Sequence, residues 1–566
     1  MATCCHSVFH QLVNDDNYKE SNAASDSLDS DCESEMLEYE PYEPDEFDLD
    51  LPNEPNEETG SEDITVSGRT WKSNPPSNRE SPPKSLGWSL TAKSESVQTI
   101  GECFHLFINE EIIDNIILYT NKKAEQSMRE NRTWKKLDRV EIDAFFGLLL
   151  LMGRFGEFRE SEQDLWKQDT GLSRPHYIAT MSRDRFINIL KYIRFDDSTT
   201  REERRKHDKL AALREVTNIF TQNCKDCYNA TSVGCVDSQV VKFHDRCSFK
   251  VCMQDKMGIK IWTLCDSNTF YCCNMDVYLG KMENETEKQQ GRRVVKRLSE
   301  IWKDSNRCIA TNNFLTDIEL AEELVEDKIF MIGALRKSQQ DLPKILGYTK
   351  NRSKHSSEFL YTENVALLSY IPETMKRVVL LSSLHGGQKK LAASEMLNCY
   401  KNAKGGVDKL ATLLQDYSCR RATSRWTLAL FMHFLDIAAY NAFVIWQTKN
   451  PNWKPKTSLK IKRKLFIEKL AESLTLKNIN SRATEFEHCR VFLHKHIINA
   501  IEATGRTVIK KTNTTGQKRS RCYICIGNNN KYNTKCENCD RHICSLHSLQ
   551  NRMIVCNNCC ITTVLS

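Results

Sequence analysis

The sequence predicts an α/β core set between two helical regions, with a separate metal-binding module at the C-terminal end. Three observations carry this. Apolar residues recur at helical spacing from about 100 to 230; short β-rich runs bounded by turn residues replace them from Val233; and eight cysteines crowd into residues 522–560. At 566 residues the chain exceeds the size at which a single core stops growing, so several folded units are expected.

Residues 1–98 are rich in acids, Ser, Pro and Asn, with EYEPYEPDEFDLDLPNEPNEE at their centre, a composition expected to remain a disordered acidic tail. A helical region follows over 99–232. In FHLFINEEIIDNIILYTNKK, Asn109 can cap a helix, Glu110 and Glu111 suit its first turn, and Ile112, Ile113, Ile116 and Ile117 share one face. AFFGLLLLMGRF and RDRFINILKYIRF continue the helical pattern. Over 233–337 the runs VGCV, GIKIWTLC, TFYCCNMDVYL, CIAT and IFMIGAL read as strands, and the helical EKQQGRRVVKRLSEIWK lies among them. Residues 338–396 are less regular and read as an insertion. A second part of the α/β unit follows over 397–417, where Gly405 and Gly406 precede the helical VDKLATLLQDY, and helices resume over 418–500. There, Phe466, Ile467, Leu470 and Leu474 form a core-facing stripe. The apolar run Leu430–Trp446 is broken by His433, Asp436 and Asn441, which fits a buried helix better than a membrane span. A basic linker, 501–520, leads into a cysteine-rich module, 521–562.

Charge is distributed unevenly. Residues 1–68 hold 20 Asp/Glu against the single Lys19, so the rest of the chain carries a net +24. A basic body of that size favours a polyanionic partner such as nucleic acid. Residues 501–566 add ten Lys/Arg against three Asp/Glu, and KKTNTTGQKRSR over 510–521 has the composition of a nuclear import signal. The opening MATCCHSVFHQLV lacks the basic start and long apolar run of a secretory signal, so an intracellular chain with reduced thiols is expected.

Four pairs of ligands can be read at the C-terminus: Cys522 with Cys525, Cys536 with Cys539, Cys544 with His547, and Cys556 with Cys559. Each pair is spaced so that two donors can meet one ion, and eight donors make two tetrahedral zinc sites. The short gap between the second and third pairs favours interleaving, with pairs one and three on one Zn2+ and pairs two and four on the other, a cross-brace. Cross-braces serve as histone readers, ubiquitin ligases and DNA binders; the positive charge favours DNA, with chromatin proteins as the other partner class. Cys560 is a spare thiol, and the lone Cys224/Cys227 pair is structural.

In the α/β region Asp237 directly follows VGCV, and Asp408 stands at the start of the helix after the glycine pair. Either alone is ordinary turn or helix-dipole chemistry. Their surroundings resemble the piggyBac family of DNA transposases: FHLFINEEII, MSRDRF with IRFDD after it, VDSQVVKFHDRCSF, GIKIWTLCDS, TNNF, GALR, LLSS, YKNAKGGVD and SRWTLALF occur in the family's order with similar spacing. The resemblance implies an RNase H-like domain with an inserted segment, flanked by helical regions that bind DNA and dimerise. It implies three Asp residues holding two divalent ions for hydrolysis and strand transfer at TTAA, and a finger that reads transposon terminal repeats in double-stranded DNA. On it Asp237 is the first acid and Asp408 the third, while the second, where Asp is expected, falls on Asn312 in CIATNNFL. Two further family acids are replaced by Ser238 and Ala411; Asp317 and Glu319 lie out of register. With these departures the expected protein is a transposase-derived DNA-binding homodimer of the nucleus, with zinc retained, Mg2+ held weakly and catalysis degraded; the alternatives are a working transposase inserting at TTAA and a chromatin or protein-interaction factor that uses the finger.

Overall fold

A computed structural model describes residues 64–76, 87–127, 134–167, 173–253, 256–280, 289–336, 342–347, 352–374, 376–385, 393–487, 495–505, 519–525, 530–536, 541–550 and 554–556. Its centre is one mixed sheet of nine strands: β1 (Val233–Lys242), β2 (Lys250–Met253), β3 (Lys256–Asp266), β4 (Cys272–Val277), β5 (Cys308–Thr311), β6 (Phe330–Ala334), β7 (Ser357–Tyr361), β8 (Ala366–Tyr370) and β9 (Val378–Ser382). Their order is β7-β8-β9-β6-β5-β1-β3-β2, with β4 also on β3. β1, β5 and β6 run parallel; β3 is antiparallel to β1, and β4 to β3. Short parallel strands such as β5 and β6 are buried along their whole length, as expected where both faces of a sheet are covered.

The helices used below are α1 (Glu110–Ser127), α2 (Arg139–Phe155), α3 (Arg183–Tyr192), α4 (Arg214–Asp226), α5 (Gln290–Ser299), α6 (Ile318–Glu326), α7 (Ala393–Lys404), α8 (Gly406–Asp416), α9 (Trp426–Lys449), α10 (Leu459–Glu487) and α11 (Lys495–Ala503). Asn109 caps α1 as the sequence predicts, its Oδ1 accepting from the Ile112 amide at 3.1 Å. Asp138 caps α2 in the same way, and Gly156 ends it with a φ of 72°, the left-handed conformation glycine adopts without strain. α9 is the buried helix its sequence predicts, covered almost all round, and Asn441 within it bonds both the amide and the carbonyl of Cys272 on β4 at 3.0 Å. The polar residue interrupting the apolar run is therefore a hydrogen-bonded clamp between helix and sheet. The stripe Phe466, Ile467, Leu470 and Leu474 of α10 is buried against α2, where Gly147 allows the backbones to approach closely. Helices from before and after the sheet thus share one core. Cys224 and Cys227 are buried in it, consistent with a structural role.

Two expectations are corrected. Within 338–396 the described residues include regular strands: β7, β8 and β9 join the main sheet through antiparallel pairing of β9 with β6. Their fully buried runs ALLSY and VVLLS lack the alternation that marks a half-exposed strand. Nor does disorder extend to residue 98. Ile64–Val66 and Arg69–Trp71 form a hairpin, Trp71 is fully buried, Arg69 pairs with Glu322 of α6 at 2.8 Å, and Lys72 exchanges two backbone bonds with Tyr361 on the edge strand β7. One buried tryptophan and one edge to pair with order a segment whose composition reads as unstructured. Residues 1–63 lie outside the described residues.

Candidate functional site

Asp237 lies on β1, and Asn312 is the first residue past β5. Parallel pairing sets Val236 opposite Thr311, so Asn312, leaving β5, comes beside Asp237, which continues along β1. Their side chains meet: Asn312 Nδ2 donates to Asp237 Oδ1 at 3.0 Å. The amide's other end is fixed, because Asn312 Oδ1 accepts from the Phe314 amide at 3.0 Å and the Leu315 amide at 3.1 Å. A flipped side chain would face two N–H donors with its NH2 and a carboxylate with its oxygen, so the network sets the orientation. Asp237 Oδ1 also accepts from the Ser238 amide at 2.7 Å.

Asp408 stands exposed in the first turn of α8, and Ala411 is half-buried one turn on. The junction of α7 and α8 lies directly on the sheet. The Cys235 thiol, on the same strand face as Asp237, donates to the Lys404 carbonyl at 2.9 Å, and Ser267 Oγ donates to the Ala403 carbonyl at 3.2 Å. Burial, then the charge of Asp237 and more weakly that of Asp408, push the Cys235 thiol well above its usual range. Gly406 makes the approach possible: a Cβ there would lie 2.9 Å from Cys235 Cβ and 3.0 Å from Cys265 Sγ, whereas one on Gly405 would meet nothing within 4 Å. Gly406→Ala is expected to cost about 1–3 kcal/mol of stability by overpacking, and Gly405→Ala almost nothing. Thermal unfolding of the two variants makes the comparison; equal melting temperatures would show that α8 does not need this contact.

Asp317 and Glu319 are engaged elsewhere. Asp317 caps α6 through the Leu320 amide at 2.9 Å, and Glu319 pairs with Arg292 at 2.7 Å. Sequence reading missed the wall beside Asn312: Trp262, opposite Ser238, stacks on Phe314 at 6.0 Å, with Lys260 Nζ 4.0 Å from the indole and Arg336 5.1 Å from the Phe314 ring. These residues come from three separate elements, and no spacing in the chain marks them. As arranged, the residues do not fit a pair of dications. Asn312 turns a donor toward Asp237 where a cation asks for an acceptor, and Ala411 supplies no ligand atom.

The second site is at the C-terminus. The ligand atoms of Cys522, Cys525, Cys544 and His547 lie within 4.8 Å of one another. Cys525 Sγ is 3.6 Å from Cys544 Sγ, and His547 Nδ1 is 3.2 Å from Cys544 Sγ and 3.3 Å from Cys525 Sγ. A tetrahedron with zinc bond lengths has edges of about 3.5–3.8 Å, close to these separations, so the group could hold a metal ion of that kind, and it joins the first and third sequence pairs. Burial raises the Cys522 thiol, but backbone N–H groups of Cys544, Ile524 and Cys525 more than offset it and bring its pKa down to about 6. Cys525, desolvated and then crowded by the sulfurs of Cys544 and Cys522, goes up to about 11. The Cys544–His547 pair is presented by a single helical turn whose His547 amide donates to the Cys544 carbonyl at 3.1 Å. Cys536, of the second pair, is buried with Ile543 in the same small core. Cys539, Cys559 and the side chain of Cys556 lie outside the described residues.

Comparison with known proteins places this geometry. The family model described as Transposase IS4 matches residues 101–443, more than half the chain. The human "PiggyBac transposable element-derived protein 3" is 22% identical over 394 residues, which is 65% of this chain and 64% of that protein. The human "Chimeric ERCC6-PGBD3 protein" is 22% identical over 394 residues, covering 36% of its length. The chain therefore spans less than two thirds of each relative. Among solved structures, the piggyBac transposase in a synaptic complex with hairpin DNA superposes with a TM-score of 0.71 at 30% identity, over 84% of this chain and all of that one. With its mixed α/β sheet, its C-terminal cysteine and histidine cluster and this match across the sheet and both helical regions, the chain belongs to the piggyBac-type Transposase IS4 family.

Proposed function

We propose that the chain is a transposase-derived DNA-binding protein of the nucleus whose three-acid site no longer supports efficient strand transfer. The observation that carries this is the Asn312 amide, fixed by two backbone N–H groups and donating to Asp237 where the family's chemistry needs a shared cation. The sheet order, with β1, β5 and β6 parallel and β3 and β4 antiparallel, supports the RNase H-like reading, in which Asp237, position 312 and Asp408 converge. The +24 body supports double-stranded DNA as the partner, with transposon-like terminal repeats the first sequences to try. The solved relative is a transposase in a synaptic complex with hairpin DNA, which supports DNA binding, and the homodimer rests on the family resemblance. Two Zn2+ in the C-terminal module, held by interleaved pairs, complete the reading.

The test is duplex binding by the zinc-loaded chain across a salt series. If about six phosphates are neutralised, affinity falls about a thousandfold between 50 and 200 mM salt. Removing residues 510–566 flattens that slope. Salt-insensitive binding would sink the DNA reading and turn attention to chromatin proteins as partners of the cysteine-rich module.

A further inference from the structure

We propose that the acidic tail docks on the protein's own surface, at the end of the helical body where α2 finishes and α10 begins. That surface combines two features rarely exposed together. Phe155, Leu459 and Ile461 are 55%, 62% and 49% exposed, far more than large apolar side chains elsewhere on these helices. Interleaved with them are the exposed lysines Lys454, Lys456, Lys460 and Lys464, none ion-paired to a carboxylate among the described residues. Arg154 reaches Glu468 at 2.6 Å, and both Arg154 and Arg463 lie over the Tyr417 ring, which brings the end of α2 to the first turns of α10. The nearby carboxylates are already answered, Glu468 by Arg154 and Asp416 by Arg463. What remains is positive and apolar.

Residues 37–51, LEYEPYEPDEFDLDL, have the complementary chemistry. Glu38, Glu40, Glu43, Asp45, Glu46, Asp48 and Asp50 alternate with Leu37, Tyr39, Tyr42, Phe47, Leu49 and Leu51. A tract of carboxylates alone would be held only by screened charge; one that also carries aromatic and aliphatic groups can cover Phe155, Leu459 and Ile461 while its acids meet the lysines. The tether favours the encounter. The chain is anchored from Ile64 by the hairpin stapled to Glu322 and Tyr361. The residues between Leu51 and Ile64 reach about 40 Å when extended, and a tether of that length raises the local concentration of the tract at any surface within its reach. An occupant of this kind shields the lysines from phosphate, so the tail acts as a built-in competitor of nucleic acid.

Zero-length carbodiimide cross-linking of the full zinc-loaded chain, without DNA, tests this independently of the DNA reading. Cross-links are expected between Glu38–Asp50 and Lys454, Lys456, Lys460 or Lys464. Two variants distinguish the mode: one with Tyr39, Tyr42, Phe47 and Leu49 changed to Ser and every acid kept, and one carrying Phe155→Ser, Leu459→Ser and Ile461→Ser. Each should lower the yield at these lysines about tenfold through lost apolar burial. Because the changed body residues are solvent-facing, circular dichroism should match the parent. Undiminished cross-linking in the apolar variants would overturn the proposal, as would cross-links confined to lysines of 510–535 or formed only between isotopically distinct copies.

Discussion

Chelation of metal from the C-terminal module is expected to unfold residues 521–560 and leave the sheet and helices intact. The module's described core holds Ile543, Cys522, Cys536 and Cys544, too little apolar surface to hold so short a segment together. Metal binding supplies the folding energy instead, of the order of 10–16 kcal/mol per structural zinc. Native mass spectrometry should find two ions per chain, and protease should cut 521–560 only after chelation. The interleaved pairing has its own signature. Cys525→Ser with Cys544→Ser removes two donors of one site and should leave one ion, whereas Cys525→Ser with Cys536→Ser damages both sites and should leave none. A sequential arrangement, pairs one and two on one ion, would reverse these outcomes. The Cys525–Cys544 separation of 3.6 Å is the reason for expecting the first result.

The two sites are legible in the sequence to different degrees. Ligand spacing is local, so Cys522, Cys525, Cys544 and His547 can be named and paired from the chain itself, and the fold brings those four together. Asp237, Asn312 and Asp408 are far apart in the chain. Spacing alone gives them no meaning, and the family resemblance carries them; the fold then joins Asp237 to Asn312 through parallel register, and puts Asp408 in the first turn of the helix packed on the same face. The sheet's central strands are readable because turn residues bracket them. β8 and β9 are not, since strands buried on both faces lose the period that separates them from other apolar runs. The Trp262, Phe314, Lys260 and Arg336 wall has no sequence signature, because stacking between elements depends on tertiary register. The hairpin at residue 64 is hidden for the opposite reason: its anchor is a single tryptophan at the end of an acidic stretch.

Asn312→Asp is expected to change both stability and chemistry. The amide now bridges a carboxylate and two backbone N–H groups, and wild type should neither nick nor join DNA above background in Mg2+ or Mn2+. An Asp in its place keeps an acceptor for Phe314 and Leu315 but sets a second carboxylate about 3 Å from Asp237, with the donor gone. Like charges that close raise one pKa by one or more units, a loss of about 1–3 kcal/mol at neutral pH without metal. A dication reverses the sign: at a hundred times its dissociation constant it returns about 2.7 kcal/mol. The variant should therefore melt below wild type in chelator and recover in Mn2+, where wild type gains little. Metal-dependent nicking of plasmid should accompany that recovery, more readily with Ala411→Asp added, since α8 would then offer a second acid one turn from Asp408. Asp408→Ala in that background removes the ligand from α8 and should abolish the gain. The opposite outcome is equally sharp: cleavage by wild type that disappears in Asp237→Ala would make the chain a working transposase, with Asn312 serving as a neutral ligand once its amide turns over.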